Sequence, residues 1–345
     1  MTPRERVLAV LRGERPDKVP FTIYECMIPQ CAVERRLREE GLCIVHRRVS
    51  PVKAETPDCR VERIEYADAG RRRVRTVIRT PVGEVSSVGE PADFTTWTLE
   101  RLFKGPEDYK VLRYWAGNQR LEPDYDTWRR AEAWMGEDVI LRAGVGAAPL
   151  HTIMIHWMGV ETFAVEWLER RDEVLALEEA MVPPLEQAYP LLAAAPITHA
   201  NMCGNEAPEV IGPDRYRRHV LPHINRCAEV FHAAGKLLGS HLDANNRAWA
   251  ADVAASGLHY VEAFTPAPDT DMTLAEALDA WPDKVLWINF PSSLHLAGAE
   301  RIKAAAREFV ELARQTNRVI IGITEDIPAD RWQESLSAIS EVVNA

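Results

Sequence analysis

The chain has 345 residues, with 41 Lys and Arg against 52 Asp and Glu, a formal net charge of −11 and 46% hydrophobic residues, a composition for a soluble globular protein with a sizeable core. Its acidity repels phosphate backbones and anionic headgroups, and Arg71-Arg72-Arg73 is the one local basic run, so neither nucleic acid nor a membrane surface is an expected partner. No apolar stretch approaches the roughly 20 residues of a membrane helix, and Met1-Thr2-Pro3-Arg4-Glu5-Arg6 lacks an apolar signal core, so a cytoplasmic protein is expected.

Pro3 to Leu11 reads as a helix, Val19 to Glu25 as a buried strand ending in a carboxylate, and Glu34 to Glu40 as a charged helix. Leu42 to Arg48, β-branched and bounded by Gly41, is a second strand. From Val61 to Val88 the residues alternate, with Arg73 to Arg79 followed by Thr80 to Val85. This predicts a hairpin of half-exposed strands, an insertion at about residues 54–90.

Beyond Asp108, strands are expected at Asp138–Gly146, Ile197–Met202, Lys236–Asp243, Leu258–Pro266, Lys284–Pro291 and Arg318–Asp326. Helices such as Asp214–Ala234, Leu274–Trp281 and Glu300–Gln315 lie between them. Eight strands alternating with helices predict an α/β fold, a (β/α)8 TIM barrel forming a single domain over residues 1–345. An open doubly wound sheet competes, but no Gly-x-Gly-x-x-Gly follows the first strand. The six cysteines, at 26, 31, 43, 59, 203 and 227, form no Cys-x-x-Cys pair and read as free thiols.

Barrel active sites are built at the carboxyl ends of the strands. Most of these strands end in a group that can ligate or transfer a proton: Glu25, His46, Arg142, His199 with Asn201, His241 with Asp243, Glu262, Asn289 and Glu325. His241 and Asp243 in Gly239-Ser240-His241-Leu242-Asp243 are two apart and project to one side. The pair suits a divalent metal, a base whose tautomer an acid fixes, or a structural hydrogen bond.

Glu325 is a candidate third ligand or acid, with Asp326 expected to cap a helix beginning near Pro328. Glu262 emerges from apolar neighbours, where burial would raise its pKa and suit general acid chemistry. His199, Asn201 and Asn205 read as neutral orienting groups or loop structure, and Glu25 and Asn289 as further catalytic candidates. His151 and His156, beside Met154, Trp157 and Met158, read as packed residues. His219, His223 and His232 read as surface or packing residues, and His259 and His295 have no assigned partner.

The opening Pro3-Arg4-Glu5-Arg6-Val7-Leu8-Ala9-Val10-Leu11-Arg12-Gly13-Glu14-Arg15-Pro16-Asp17-Lys18-Val19-Pro20 resembles the start of members of the uroporphyrinogen decarboxylase superfamily, which includes cobalamin-dependent methyltransferases. The resemblance extends over nearly the whole chain. It implies a (β/α)8 barrel whose mouth receives a porphyrinogen or the corrinoid of a partner protein. The decarboxylases carry an arginine-rich Met-Arg-Gln-Ala-Gly-Arg stretch after the first strand. Here that place reads Glu25-Cys26-Met27-Ile28-Pro29-Gln30-Cys31, which disfavours a polyanionic tetrapyrrole.

Zinc methyltransferases of the superfamily bind metal through His-x-Cys and a distant Cys at the eighth strand. By position these become His241, Asp243 and Glu325, a harder donor set. The resemblance thus implies a corrinoid-linked methyltransferase, moving a methyl group between a small O- or N-methyl compound or a pterin and a corrinoid protein. A metal-assisted lyase, decarboxylase or hydrolase of a small polar substrate is the alternative. Expected cofactors are a divalent metal, zinc foremost, and a corrinoid, either carried by a partner protein or supplied as methylcobalamin. The oligomeric state is left open, a homodimer included.

Overall fold

A computed structural model describes residues 1–92, 95–202 and 204–345. Strands β1 (Phe21–Tyr24) and β2 (Leu42–His46) come first. They are followed by β3 (Val52–Glu55), β4 (Arg60–Asp68), β5 (Arg71–Thr80), β6 (Gly83–Pro91), β7 (Thr96–Glu100) and β8 (Arg120–Pro123). Then come β9 (Val139–Leu141), β10 (Ala143–Gly146), β11 (His199–Met202), β12 (Leu237–His241), β13 (Tyr260–Phe264), β14 (Val285–Asn289) and β15 (Val319–Ile323).

Contacts divide the chain into two compact units, one of residues 1–51, 125–146 and 195–345, the other of residues 52–124 and 147–194. The first holds a parallel nine-stranded sheet in the order β10-β11-β12-β13-β14-β15-β1-β2-β9. Its two outermost strands are successive in the chain, separated only by Arg142, so the sheet curls into a nearly closed barrel with eight strand positions. All eight expected strands are present, with helices between them: a TIM-barrel-like α/β fold.

Local sequence explains the regularity. Thr2 and Glu5 close a capping box on the helix Pro3–Leu11, and Thr273 and Glu276 do the same for Leu274–Ala280. Inside the barrel, β13 and β14 send Tyr260 and Trp287 across space that glycines of the flanking strands leave free. A Cβ on Gly239 would stand 2.1 Å from the Tyr260 ring, and one on Gly322 2.7 Å from the Ile288 carbonyl oxygen. The Tyr260 hydroxyl donates to the Ala200 carbonyl and the Trp287 indole N–H to Thr22 Oγ1, each at 2.8 Å, so both polar tips are satisfied in a dry interior.

In the second unit, β4, β5, β6 and β7 form an antiparallel sheet in chain order, and β3 pairs with β8. The expected hairpin is β5–β6, closed at Thr80 and Gly83, but it is the centre of four strands. The hydrophobic alternation of β5 and β6 fades in β4 and β7, which are almost wholly exposed.

One boundary differs from expectation. The last helix begins at Trp332 with Arg331 as its N-cap residue, so Asp326 caps nothing; Pro328 instead accepts, through its carbonyl, the N–H groups of Arg331 and Trp332. The five described cysteines are free, and Cys203 lies outside the described residues. No helix among the described residues is long and apolar enough to cross a membrane.

Candidate metal centre

His241 is the last residue of β12 and is buried; Asp243 follows two positions on, and Glu325 stands just past β15. His241 Nε2 lies 3.6 Å from Asp243 Oδ2 and 3.5 Å from Glu325 Oε1. One ligand atom from each of the three falls within 4.8 Å of the others, and this group can hold a metal ion. Nε2 is shielded from solvent and makes no hydrogen bond among the described residues, as an atom held ready to ligate would be. One imidazole and two carboxylates fit a divalent cation of intermediate to hard character. Side-chain exposure rises from 10% at His241 through 21% at Asp243 to 36% at Glu325, so the group opens to solvent on the carboxylate side.

The other face of the imidazole is pinned from within. His241 Nδ1 is 2.8 Å from Glu262 Oε2, and Glu262 is fully buried. Asn201 Nδ2 donates to the same oxygen at 2.9 Å; Oε1 accepts from the Tyr24 hydroxyl and from Arg142 Nη1, the latter at 2.5 Å. Burial alone would favour the neutral acid, but Arg142 first, then His241 and Tyr24, outweigh it and hold Glu262 well below the usual carboxylate range. The expectation of a raised Glu262 pKa therefore fails: the apolar neighbours read in sequence are joined in space by a guanidinium and three further donors. Glu262 is an anion facing inward, not a general acid open to substrate. Burial likewise opposes charge on His241, yet Glu262, Tyr24 and Asp243 raise its pKa well above the ordinary imidazole value.

Strand irregularities supply this geometry. Arg142 sits at the break between β9 and β10, its side chain buried. Between Glu262 and Phe264 the register shifts, with Ala263 at φ 60°, a bulge that interrupts the ladder beside the carboxylate before pairing resumes at Phe264. Asn289, a catalytic candidate in sequence, is buried under the β15 turn, where its Oδ1 accepts the backbone N–H groups of Thr324 and Glu325 at 3.0 and 3.2 Å. It positions Glu325 rather than facing the metal group.

Glu25 is not drawn into the group. Its carboxylate pairs with Arg47 and Arg48, each at 3.2 Å. His199 is buried against the Tyr260 and Trp287 rings, 6.0 and 6.1 Å away, and burial, then Arg142, pull its pKa down to about 3, so it is neutral. His151 and His156 stand edge to face in the second unit, outside the metal group. The two histidines without an assigned partner in the sequence each have one: His259 bonds the Leu11 carbonyl and His295 the Ser335 hydroxyl.

Two residues escape a reading of strand-end polarity, and a third is read without its partner. Tyr24 looks like core by its neighbours, and Arg142 stands among the strand-end groups without showing which carboxylate it meets. Glu206 is buried, and burial pushes its pKa up to about 7, with His241 and Asp243 among the charges acting on it. Gly204 makes room for it, since a Cβ there would meet Glu206 Oε1 at 1.9 Å. The Gly-x-Glu spacing is the one sequence signal for that contact.

No family model and no curated protein matches the sequence. Among solved structures the chain is similar to a methyltransferase from Methanosarcina mazei, 15% identical, over 100% of this chain and 98% of that one, with a TM-score of 0.56. A glycoside hydrolase family 5 enzyme from Prevotella bryantii B14, 13% identical over 64% of this chain and 78% of that one, has a TM-score of 0.36. The first likeness spans both chains almost end to end and is one of fold.

Proposed function

We propose that the chain is a metal-dependent methyltransferase of the corrinoid-linked kind, acting at the strand-end group of His241, Asp243 and Glu325. The observation that carries this reading is the two-sided imidazole: Nδ1 fixed by a buried anion, Nε2 facing two carboxylates. Once the Nε2 proton is released, as metal binding would require, a histidine anchored in this way has its tautomer set for ligation. The resemblance of the opening sequence motif, together with the fold likeness to a methyltransferase, supports methyl transfer as the reaction class of this reading.

When bound, a divalent cation supplies a Lewis acid that polarises an oxygen or nitrogen of a small substrate. The protein's residues do the rest. Glu262 holds the His241 Nδ1–H, Arg142 offsets the charge that Glu262 keeps in the interior, and Asn289 fixes the turn bearing Glu325. The substrates under this reading are an O- or N-methyl compound or a pterin, and a corrinoid on a partner protein or as methylcobalamin. The donor chemistry favours a second reading, metal-assisted lysis, decarboxylation or hydrolysis, because two carboxylates donate less electron density than two thiolates.

Elemental analysis of the purified chain and of Asp243→Ala tests the site: about one equivalent of metal is expected in the first, and at least about tenfold weaker binding in the second. Full metal content in the variant removes Asp243 from the ligand set. Adding methylcobalamin or a methylated corrinoid protein with a demethylated acceptor tests the reaction. A visible-spectrum change on demethylation supports methyl transfer, and indifference to both corrinoids in metal-loaded protein moves the assignment to the second reading.

A further inference from the structure

The barrel unit has a second feature that the metal centre does not use, a cavity of about 380 Å³ on the outer side of β2. Cys43 and Val45 belong to the interior cluster with Tyr24 and Trp287, so Ile44 and His46, alternating with them, face the other way. Ile44 joins Ile28, Met135 and Val139 in an apolar lining. The volume falls within the ~300–1,000 Å³ of small-molecule sites.

The charges around this lining are already matched to one another. Glu34 pairs with Arg38 at 2.9 Å, and Arg38 also pairs with Asp138 at 2.7 Å. Glu25 is held by Arg47 and Arg48. A charged group entering here would compete with these pairs, and leaving the largely buried Glu25 or Glu34 uncompensated is costly. The uncharged polar side chains that remain are His46 and Gln30. Burial lowers the His46 pKa, outweighing Glu25, so the imidazole is neutral near pH 7. A neutral imidazole and a carboxamide each offer one donor edge and one acceptor edge. A hydroxyl, which both donates and accepts, matches either edge of both.

We propose that this cavity binds a small neutral hydroxyl compound, an alcohol or phenol with an apolar body, at a site separate from the metal group. The apolar lining takes the alkyl or aryl body, His46 and Gln30 take the hydroxyl, and the closed ion pairs reject charged analogues. The assignment is independent of the reaction run at His241.

Titration of the full-length chain with phenol, toluene, benzoate and benzylamine, followed by calorimetry and NMR, tests it. Phenol is expected to bind saturably with one-to-one stoichiometry and at least about tenfold more tightly than the other three. Ile44→Trp, and independently Val139→Phe, are expected to abolish phenol binding while metal uptake at His241 stays unchanged, which also reports an intact barrel. Failure of phenol to bind, equal or tighter binding of benzoate or benzylamine, or equal binding of toluene overturns the proposal. Phenol binding that survives in both folded variants overturns it as well. If either variant does not fold, the four-probe comparison on the native chain decides.

Discussion

Glu262 shows how one residue's role depends on partners far away in sequence. Its carboxylate collects Tyr24 from 238 residues away and Asn201 from 61, and Arg142 reaches both it and the Tyr24 hydroxyl. Removing its charge while keeping its shape leaves Arg142 buried beside a neutral amide. Glu262→Gln is therefore expected to cost about 3 kcal/mol in urea unfolding, at the low end for breaking a buried pair. Metal affinity at His241 should fall about 10–100-fold, as it does when a histidine ligand loses its supporting carboxylate. The double variant Glu262→Gln with Arg142→Met should recover stability but not affinity. Unchanged zinc affinity by calorimetry in the folded single variant would show that Glu262 does not support the ligand.

His241 and Asp243 were legible as a pair because a strand places residues two apart on one face. Their third member, Glu325, was legible because eight similar strands all had to end at one rim. Tyr24 was not, and Arg142 was legible as a strand-end group but not as the partner of Glu262, since only closure of the barrel brings the two to that carboxylate. The raised pKa expected for Glu262 failed for the same reason: burial can be read from neighbours, a buried counter-charge cannot.

At the level of elements, the parallel strands were readable from β-branched runs bounded by Gly and Pro. The strands β4 and β7 were not, because strands exposed on nearly every side chain carry no burial period. The site depends on where regular elements fail, at the Arg142 break and the Ala263 bulge. The regular parts depend on glycines that admit a neighbour's ring. Gly322 is the more demanding of the two, since its missing Cβ faces the Ile288 carbonyl as well as Trp287 and Thr22. A backbone oxygen in a parallel ladder cannot move aside as the end of a flexible side chain can. Gly322→Ala should thus destabilise the barrel by about 2 kcal/mol or more by thermal or urea melting, in the range for overpacking a dense core. A neutral or stabilising result would mean that β14 and β15 separate more readily than the ladder implies.

For the molecule as a whole, the buried titratable groups set the response to pH, and they do not all act in one direction. His199 is held at about 3 and His295, chiefly by burial, at about 4, against an ordinary imidazole value of 6.5. For both, the unfolded chain takes up a proton as pH falls through 6.5 while the folded chain refuses it. Their contribution is complete above pH 6.5 and is lost on acidification, each at up to ~1.4 kcal/mol per pH unit until its folded value is reached. Glu206, raised to about 7, works oppositely: the folded chain is protonated first, so stability grows as pH falls from 7 towards the usual carboxylate range. Total stability therefore mixes opposed slopes, whereas the difference between two chains isolates one group. His199→Phe keeps an aromatic side chain against Tyr260 and Trp287 and removes the proton site. Relative to the native chain, the variant should keep a constant offset well above pH 6.5 and gain about 2 kcal/mol between pH 6.5 and 4.5, read from urea midpoints. Parallel curves across that interval would mean that His199 is protonated as easily in the folded barrel as in the unfolded chain.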